Sequence, residues 1–97
     1  MKNAKYRQTG MYDATNIDTD ILLIPFNGND MSKKAIYLNE ISALIFTYIS
    51  DGKTILQIID ILVERYDVER SKLEIDVSGC VEKLISLNAI TLEELLE

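Results

Sequence analysis

The first forty residues place short apolar runs between turn-forming residues, a pattern typical of small β-strands. The apolar run Ile21–Ile24 ends at Pro25 and predicts a buried strand. The polar turn at 18–20 predicts that the chain folds back onto a strand over Met11–Ile17, and Ala35–Leu38 is a third strand candidate. We therefore expect a three-stranded antiparallel sheet.

The rest of the chain carries apolar residues at helical spacing, and polar residues mark the helix ends. Asn39 can cap the first helix, and Gly52 is suited to the left-handed position that closes it. Thr54 with Gln57 is a capping-box pattern that opens the second helix. The expected core faces are Ile41, Leu44, Ile45 and Tyr48 in the first helix, and Ile55, Ile58, Ile59, Leu62 and Tyr66 in the second.

A third helix is predicted by the same kind of polar residues at its two ends. Ser71 with Glu74 repeats the capping-box pattern, and Asn88 is suited to a left-handed turn at the far end. The expected core face carries Leu73, Val77, Cys80, Val81 and Leu84. Asp76, Cys80, Lys83 and Leu87 follow one another along one flank of this helix, where they can line a groove.

Three strands followed by three helices predict an α+β fold of the winged-helix-like kind. We expect a flexible N-terminus over residues 1–10 and a single domain over residues 11–90. Thr91 with Glu94 resembles one more capping box, so a short helical tail is predicted over residues 91–97.

Composition limits the chemistry that this chain can perform. Its 97 residues contain no histidine and one cysteine, Cys80, which argues against Cys–His nucleophile pairs and ordinary zinc sites. We therefore expect no enzymatic activity, no metal and no cofactor. The sequence has neither an apolar run of ~18 residues nor the apolar stretch of a signal peptide, and the single cysteine suits a reducing compartment, so we expect no membrane and a cytoplasmic location.

Charge argues against nucleic acid as a partner. The net charge is −6, and all of the excess lies in residues 54–97, which carry four bases and ten acids. The helix that would have to read DNA carries three bases and three acids. A binder of phosphate backbones is expected to be basic on the binding face.

The sequence resembles the PqqD-like family over residues 11–90. The resemblance rests on the joint order and spacing of Leu38-Asn39, Ile45, Asp51-Gly52, Thr54, Ile58, Leu62, Tyr66-Asp67, Asp76-Val77, Leu84 and Ile90. Members of this family are recognition elements for ribosomally synthesised, post-translationally modified peptides. The resemblance implies that the chain binds the leader segment of a precursor peptide for a separate modifying enzyme, such as a radical S-adenosylmethionine protein or a lasso-type leader peptidase.

The resemblance also implies a docking site between the third strand and the third helix. The leader would add as a strand beside Ala35, Ile36, Tyr37 and Leu38, with Lys33 and Lys34 before them and Asp76, Cys80, Lys83 and Leu87 across the groove. Three alternatives remain for these residues: lysines that only guard a strand edge, a cysteine that only fills the core, and an Asp76 that caps the helix or pairs with a neighbouring base. For the whole protein, the alternatives are a winged-helix DNA-binding regulator and an adaptor without a peptide substrate.

Overall fold

The computed structural model describes residues 3–26 and 34–96. These residues form five strands and three helices, which confirms the α+β class. In chain order they are β1 (Asn3–Gln8), β2 (Tyr12–Ile17), β3 (Asp20–Pro25), β4 (Ile36–Leu38), α1 (Glu40–Ser50), α2 (Ile55–Tyr66), α3 (Arg70–Ser86) and β5 (Ile90–Leu96).

The predicted three-stranded sheet is present, with the strand order β2-β3-β4 and antiparallel pairing throughout. Asp18 takes a positive φ of 56° in the two-residue turn that joins β2 to β3, a conformation that aspartate tolerates better than most residues. The face of β3 and β4 that meets the helices carries Ile21, Leu23, Ile36 and Leu38, all buried. Strand alternation thus fixes which side of the sheet joins the core.

The predictions for the two ends of the chain are wrong. Residues 3–8, expected to be flexible, form β1, and residues 90–96 form β5 where a helical tail was expected over residues 91–97. The two strands pair antiparallel as a second sheet, with a bulge opposite Lys5 and Tyr6. This sheet contributes two buried residues to the core, Ala4 of β1 and Ile90 of β5.

Long-range pairing explains why the tail is extended although its local pattern favours a helix. Asn88 has a positive φ of 60° and turns the chain after α3, which brings the last residues alongside β1. The Thr9 N–H then donates to the Ala89 carbonyl at 3.1 Å, and Lys5 and Glu93 form an ion pair at 3.4 Å. A partner strand outweighs the weak helical preference of a seven-residue segment.

The predicted boundaries of α1 and α2 are confirmed by their hydrogen bonds. The Asn39 side chain accepts from the Ser42 N–H, and the capping box between Thr54 and Gln57 is complete in both directions. Gly52 has a φ of 87° after α1, the left-handed position expected of it.

The start of α3 differs from its prediction. The helix begins at Arg70, its N-cap is Glu69, and no side chain caps it, so Ser71 and Glu74 form no capping box. The Arg70 guanidinium instead contacts Asp60 at 2.6 Å and Glu74 at 3.3 Å. The Arg70–Asp60 pair joins the first turn of α3 to α2, and the Arg70–Glu74 pair lies within α3.

One continuous core lies between the three helices and the two sheets. The expected faces of α2 and α3 are buried except for Tyr66 and Cys80, which are partly buried, but α1 is rotated relative to its predicted face. Its fully buried residues are Ala43, Ile45, Phe46 and Ile49, while Ile41, Leu44 and Tyr48 are only partly buried. Among the described residues, no helix has the length and apolar character needed to cross a membrane.

Candidate functional site

β4 lies at the edge of the three-stranded sheet. It pairs with β3 on one side, and its other side has no partner strand in the described part of the chain. An unpaired edge presents backbone N–H and C=O groups that another extended chain can bind.

The register of the sheet shows which residues of β4 face this free edge. The Phe26 N–H donates to the Met11 carbonyl at 3.1 Å, so this pair is hydrogen-bonded on the β2 side. Backbone hydrogen bonding alternates sides along an antiparallel strand. Because the even-numbered Phe26 bonds towards β2, the odd-numbered residues of β3, Ile21 and Leu23, bond towards β4. Their partners there are Leu38 and Ile36, respectively.

Tyr37 is therefore the residue of β4 whose N–H and C=O point away from the sheet. Its side chain lies on the outer face of the sheet and is 57% exposed. Its hydroxyl donates to the Asp20 carboxylate, and this hydrogen bond raises the pKa of Tyr37 above its ordinary value. Leu38, by contrast, is buried and faces the core.

Beside the free edge, a groove runs along one flank of α3. Asp76, Cys80, Lys83 and Leu87 all line it, as their helical spacing predicts. Its first part, about 540 Å³, is lined by Tyr12, Lys34, Ala35, Ile36, Tyr37, Lys83, Ser86, Leu87 and Asn88. Its second part, about 280 Å³, is lined by Asn39, Ile41, Ser42, Ile45, Asp76 and Cys80.

A third concavity, about 200 Å³, shares Ile41 and Asp76 with the second and extends the groove to the start of α3. It is lined by Ile41, Tyr66, Val68, Lys72, Leu73 and Asp76. We call the three parts together the β4–α3 groove. Lys33, also predicted for this site, lies outside the described residues.

The environment of Cys80 suits packing rather than thiol chemistry. Burial raises the pKa of the Cys80 thiol, although a hydrogen bond with Ser42 and the charge of Lys83 lower it in part. A thiol with a raised pKa is protonated at neutral pH and is a poor nucleophile. Cys80 therefore contributes a small apolar surface to the middle of the groove.

Asp76 is held by a neighbouring base. Its carboxylate lies 3.0 Å from the Lys72 ammonium, one turn earlier on the exposed side of α3. Among the described residues, no group of three or more His, Cys, Asp or Glu side chains is placed to hold a metal ion.

Sequence reasoning missed Tyr12, Ile41 and Ser42 as groove residues. Tyr12 reaches the groove from β2, and its hydroxyl donates to the Leu87 carbonyl at 2.7 Å, which ties the sheet to the end of α3. Nothing local in the sequence marks this contact, because it joins residues 75 positions apart. The apolar character and helical spacing of Ile41 are visible in the sequence, but they were interpreted as those of a core residue.

A comparison with known protein families shows which family this chain belongs to. The sequence profile of PqqD, described as coenzyme PQQ synthesis protein D, matches residues 21–90. This chain belongs to the PqqD family. The match runs from β3 to the first residue of β5, so it includes β4, α3 and all of the β4–α3 groove except Tyr12. The resemblance found in the sequence is thereby confirmed.

Two solved structures share the fold of this PqqD family member. One is titled "TbiB1 in Complex with the TbiA(beta) Leader Peptide"; it has a TM-score of 0.76 at 19% identity, over 94% of this chain and 99% of that chain. The other, titled "Lasso peptide synthetase B1 complexed with the leader peptide", has a TM-score of 0.77 at 24% identity, over 91% and 99%. A comparison with curated proteins found no match.

Proposed function

We propose that this chain binds the leader segment of a ribosomally synthesised precursor peptide and delivers it to a separate modifying enzyme. The observation that carries the proposal is the free edge of β4 at Tyr37, which lies beside the β4–α3 groove. Membership of the PqqD family and the two similar folds, both titled as complexes with leader peptides, support it.

The free edge of β4 and the groove would both contribute to recognition of the leader. The leader would add to β4 as a fourth strand, exchanging backbone hydrogen bonds with Tyr37 and with Ala35 two residues earlier. Alternate side chains of an extended peptide point to opposite faces, so every second leader residue would enter the groove. Backbone pairing would contribute affinity, and the groove would select among sequences.

The chain itself would contribute binding rather than catalysis. Holding the leader keeps the rest of the precursor near the partner enzyme at an effective concentration on the order of 1 mM for a short linker. The partner enzyme would be a radical S-adenosylmethionine protein or a lasso-type leader peptidase, and the complex would form in the cytoplasm without metal or cofactor in this chain.

A winged-helix DNA-binding regulator is the competing function, and the charges oppose it. The three helices and the β2–β3 hairpin resemble the outline of such a fold, but α3 carries equal numbers of acids and bases in a protein of net charge −6. Of the three bases of α3, Arg70 and Lys72 form ion pairs with acidic residues, and Lys83 lines the groove.

Calorimetry with the two segments of a candidate precursor peptide tests the proposal. The leader segment and the core segment are titrated separately into the protein, so the core serves as a control from the same precursor. We expect saturable 1:1 binding of the leader and none of the core at the same concentration. Equal binding of both segments, or binding of neither, would contradict the proposal.

A further inference from the structure

Two exposed lysines meet at one end of the β4–α3 groove. Lys34 reaches it from the strand side and Lys83 from the helix side, and both line the concavity of about 540 Å³. The ion pairs among residues 3–26 and 34–96 engage Lys5, Arg70 and Lys72 but neither of these two. Within the described parts of the chain, this end of the groove thus carries two lysines without an ion-pair partner, in an otherwise acidic protein.

The opposite end of the groove is apolar. Ile41, Tyr66, Val68 and Leu73 line it, and its charged groups neutralise each other, because Lys72 pairs with Asp76 at 3.0 Å. The two ends therefore favour different side chains of a bound peptide: a carboxylate at one and a bulky apolar group at the other.

The length of α3 between the two ends sets the spacing of those side chains. Lys83 and Leu73 are ten positions apart on the helix, which is about 15 Å at the helical rise of ~1.5 Å per residue. An extended peptide covers that length in about four or five residues. Side chains that point the same way recur at every second residue, so the spacing is about four.

We propose that the groove selects peptides in which an aspartate or glutamate lies about four residues from a bulky apolar residue. The carboxylate binds between Lys34 and Lys83, and the apolar side chain fills the end lined by Ile41 and Leu73. This inference rests on the proposed function and adds the chemical class of the leader. A ribosomal peptide offers carboxylates as its anions, and charge complementarity favours them here over every neutral side chain.

Selection from a phage-displayed library of random 12-residue peptides tests the inference without knowledge of the natural leader. Three proteins are compared: the wild type, the variant Lys34→Glu with Lys83→Glu, and the control Arg7→Glu with Lys53→Glu. The control makes the same change in net charge outside the groove. Circular dichroism and thermal unfolding check that each variant is folded, as expected because Arg7, Lys34 and Lys83 are exposed and Lys53 is partly exposed.

The wild type and the control are expected to enrich Asp or Glu at one position, about four residues from a bulky apolar residue. The groove variant is expected to enrich Lys or Arg at that position instead. In a selected peptide, Glu→Gln should weaken binding about threefold, in keeping with a partly exposed ion pair, and added salt should reduce that difference.

The outcomes separate this inference from the function on which it rests. If the wild type selects apolar peptides without an acidic position, or the groove variant selects the same peptides as the wild type, the carboxylate site is refuted and the function stands. If no peptide binds, the proposed function fails; if the selected peptides bind equally well to a Tyr37→Pro variant, strand addition at β4 fails although peptide binding stands.

Discussion

Proline at Tyr37 probes the free edge of β4 with little disturbance of the sheet. The register directs the Tyr37 N–H away from β3, so its loss removes no hydrogen bond between β3 and β4. Proline is tolerated on edge strands for this reason, and the residue before it, Ile36, is already extended as proline requires. Proline at Ile36 would instead remove a hydrogen bond between β3 and β4.

The expected effect follows from the loss of one donor. A backbone hydrogen bond contributes about 1 kcal/mol net, which corresponds to a factor of about five in an equilibrium constant. Tyr37→Pro should therefore raise the Kd for the leader about fivefold or more. The thermal midpoint should change little, because the Tyr37 side chain is mostly exposed.

The matched control is Tyr37→Val, which removes the same ring and its hydroxyl contact with Asp20 but keeps the N–H. Calorimetry on the two variants isolates the backbone contribution from that of the side chain. We expect Tyr37→Val to bind within about twofold of the wild type. Equal affinities of the proline and valine variants, both folded, would refute strand addition at this position.

Three further predictions concern the thiol, the second sheet and nucleic acid. Cys80→Ala should keep leader binding and lower the free energy of unfolding by about 1 kcal/mol for a small cavity; loss of binding by the folded variant in calorimetry would contradict the packing role. Ile90→Ala should cost about 3 kcal/mol in urea unfolding because Ile90 is buried in the core, whereas Leu92→Ala, at a half-exposed position of the same strand, should cost less than about 0.5 kcal/mol; similar losses would show that β5 is not anchored by Ile90. A gel shift with nonspecific duplex DNA at low salt should show no retention below ~10 µM protein, and clear retention would favour the DNA-binding alternative.

The features predicted correctly from the sequence are those decided within a few residues. The capping box of Thr54 with Gln57 and the left-handed positions at Gly52 and Asn88 depend on local hydrogen bonds and backbone freedom, and the structure has them as expected. The sheet of three strands followed from apolar runs separated by a tight turn. The flank of α3 followed from helical periodicity alone.

The second sheet could not be predicted in the same way. β1 and β5 lie at opposite ends of the chain, and neither has a strong strand pattern without its partner. The segment after Asn88 resembled a helix because Thr91 and Glu94 stand at capping-box spacing, and only the presence of residues 3–8 alongside it makes the extended form more stable. Local propensities do not predict pairing between segments at opposite ends of the chain.

The candidate site could be predicted only in part, because some of its features depend on contacts between elements that are distant in the sequence. Residues 34–38 were identified from the family resemblance and the α3 flank from helical periodicity, but the direction of each backbone group of β4 depends on the register with β3. That register identifies Tyr37, rather than Ile36, as the residue bonding outwards. Tyr12 and Ile41 join the groove through contacts between distant elements, which no single segment encodes.

Amide hydrogen exchange on the free and leader-bound protein tests the central claim most directly. If the leader adds to β4, the amide of Tyr37 should exchange more slowly in the complex, with additional protection along the α3 flank around Cys80 and Leu87. The amides of Ile36 and Leu38, already bonded to β3, should change less. Leader binding that leaves residues 34–38 unchanged and protects another surface would contradict the account.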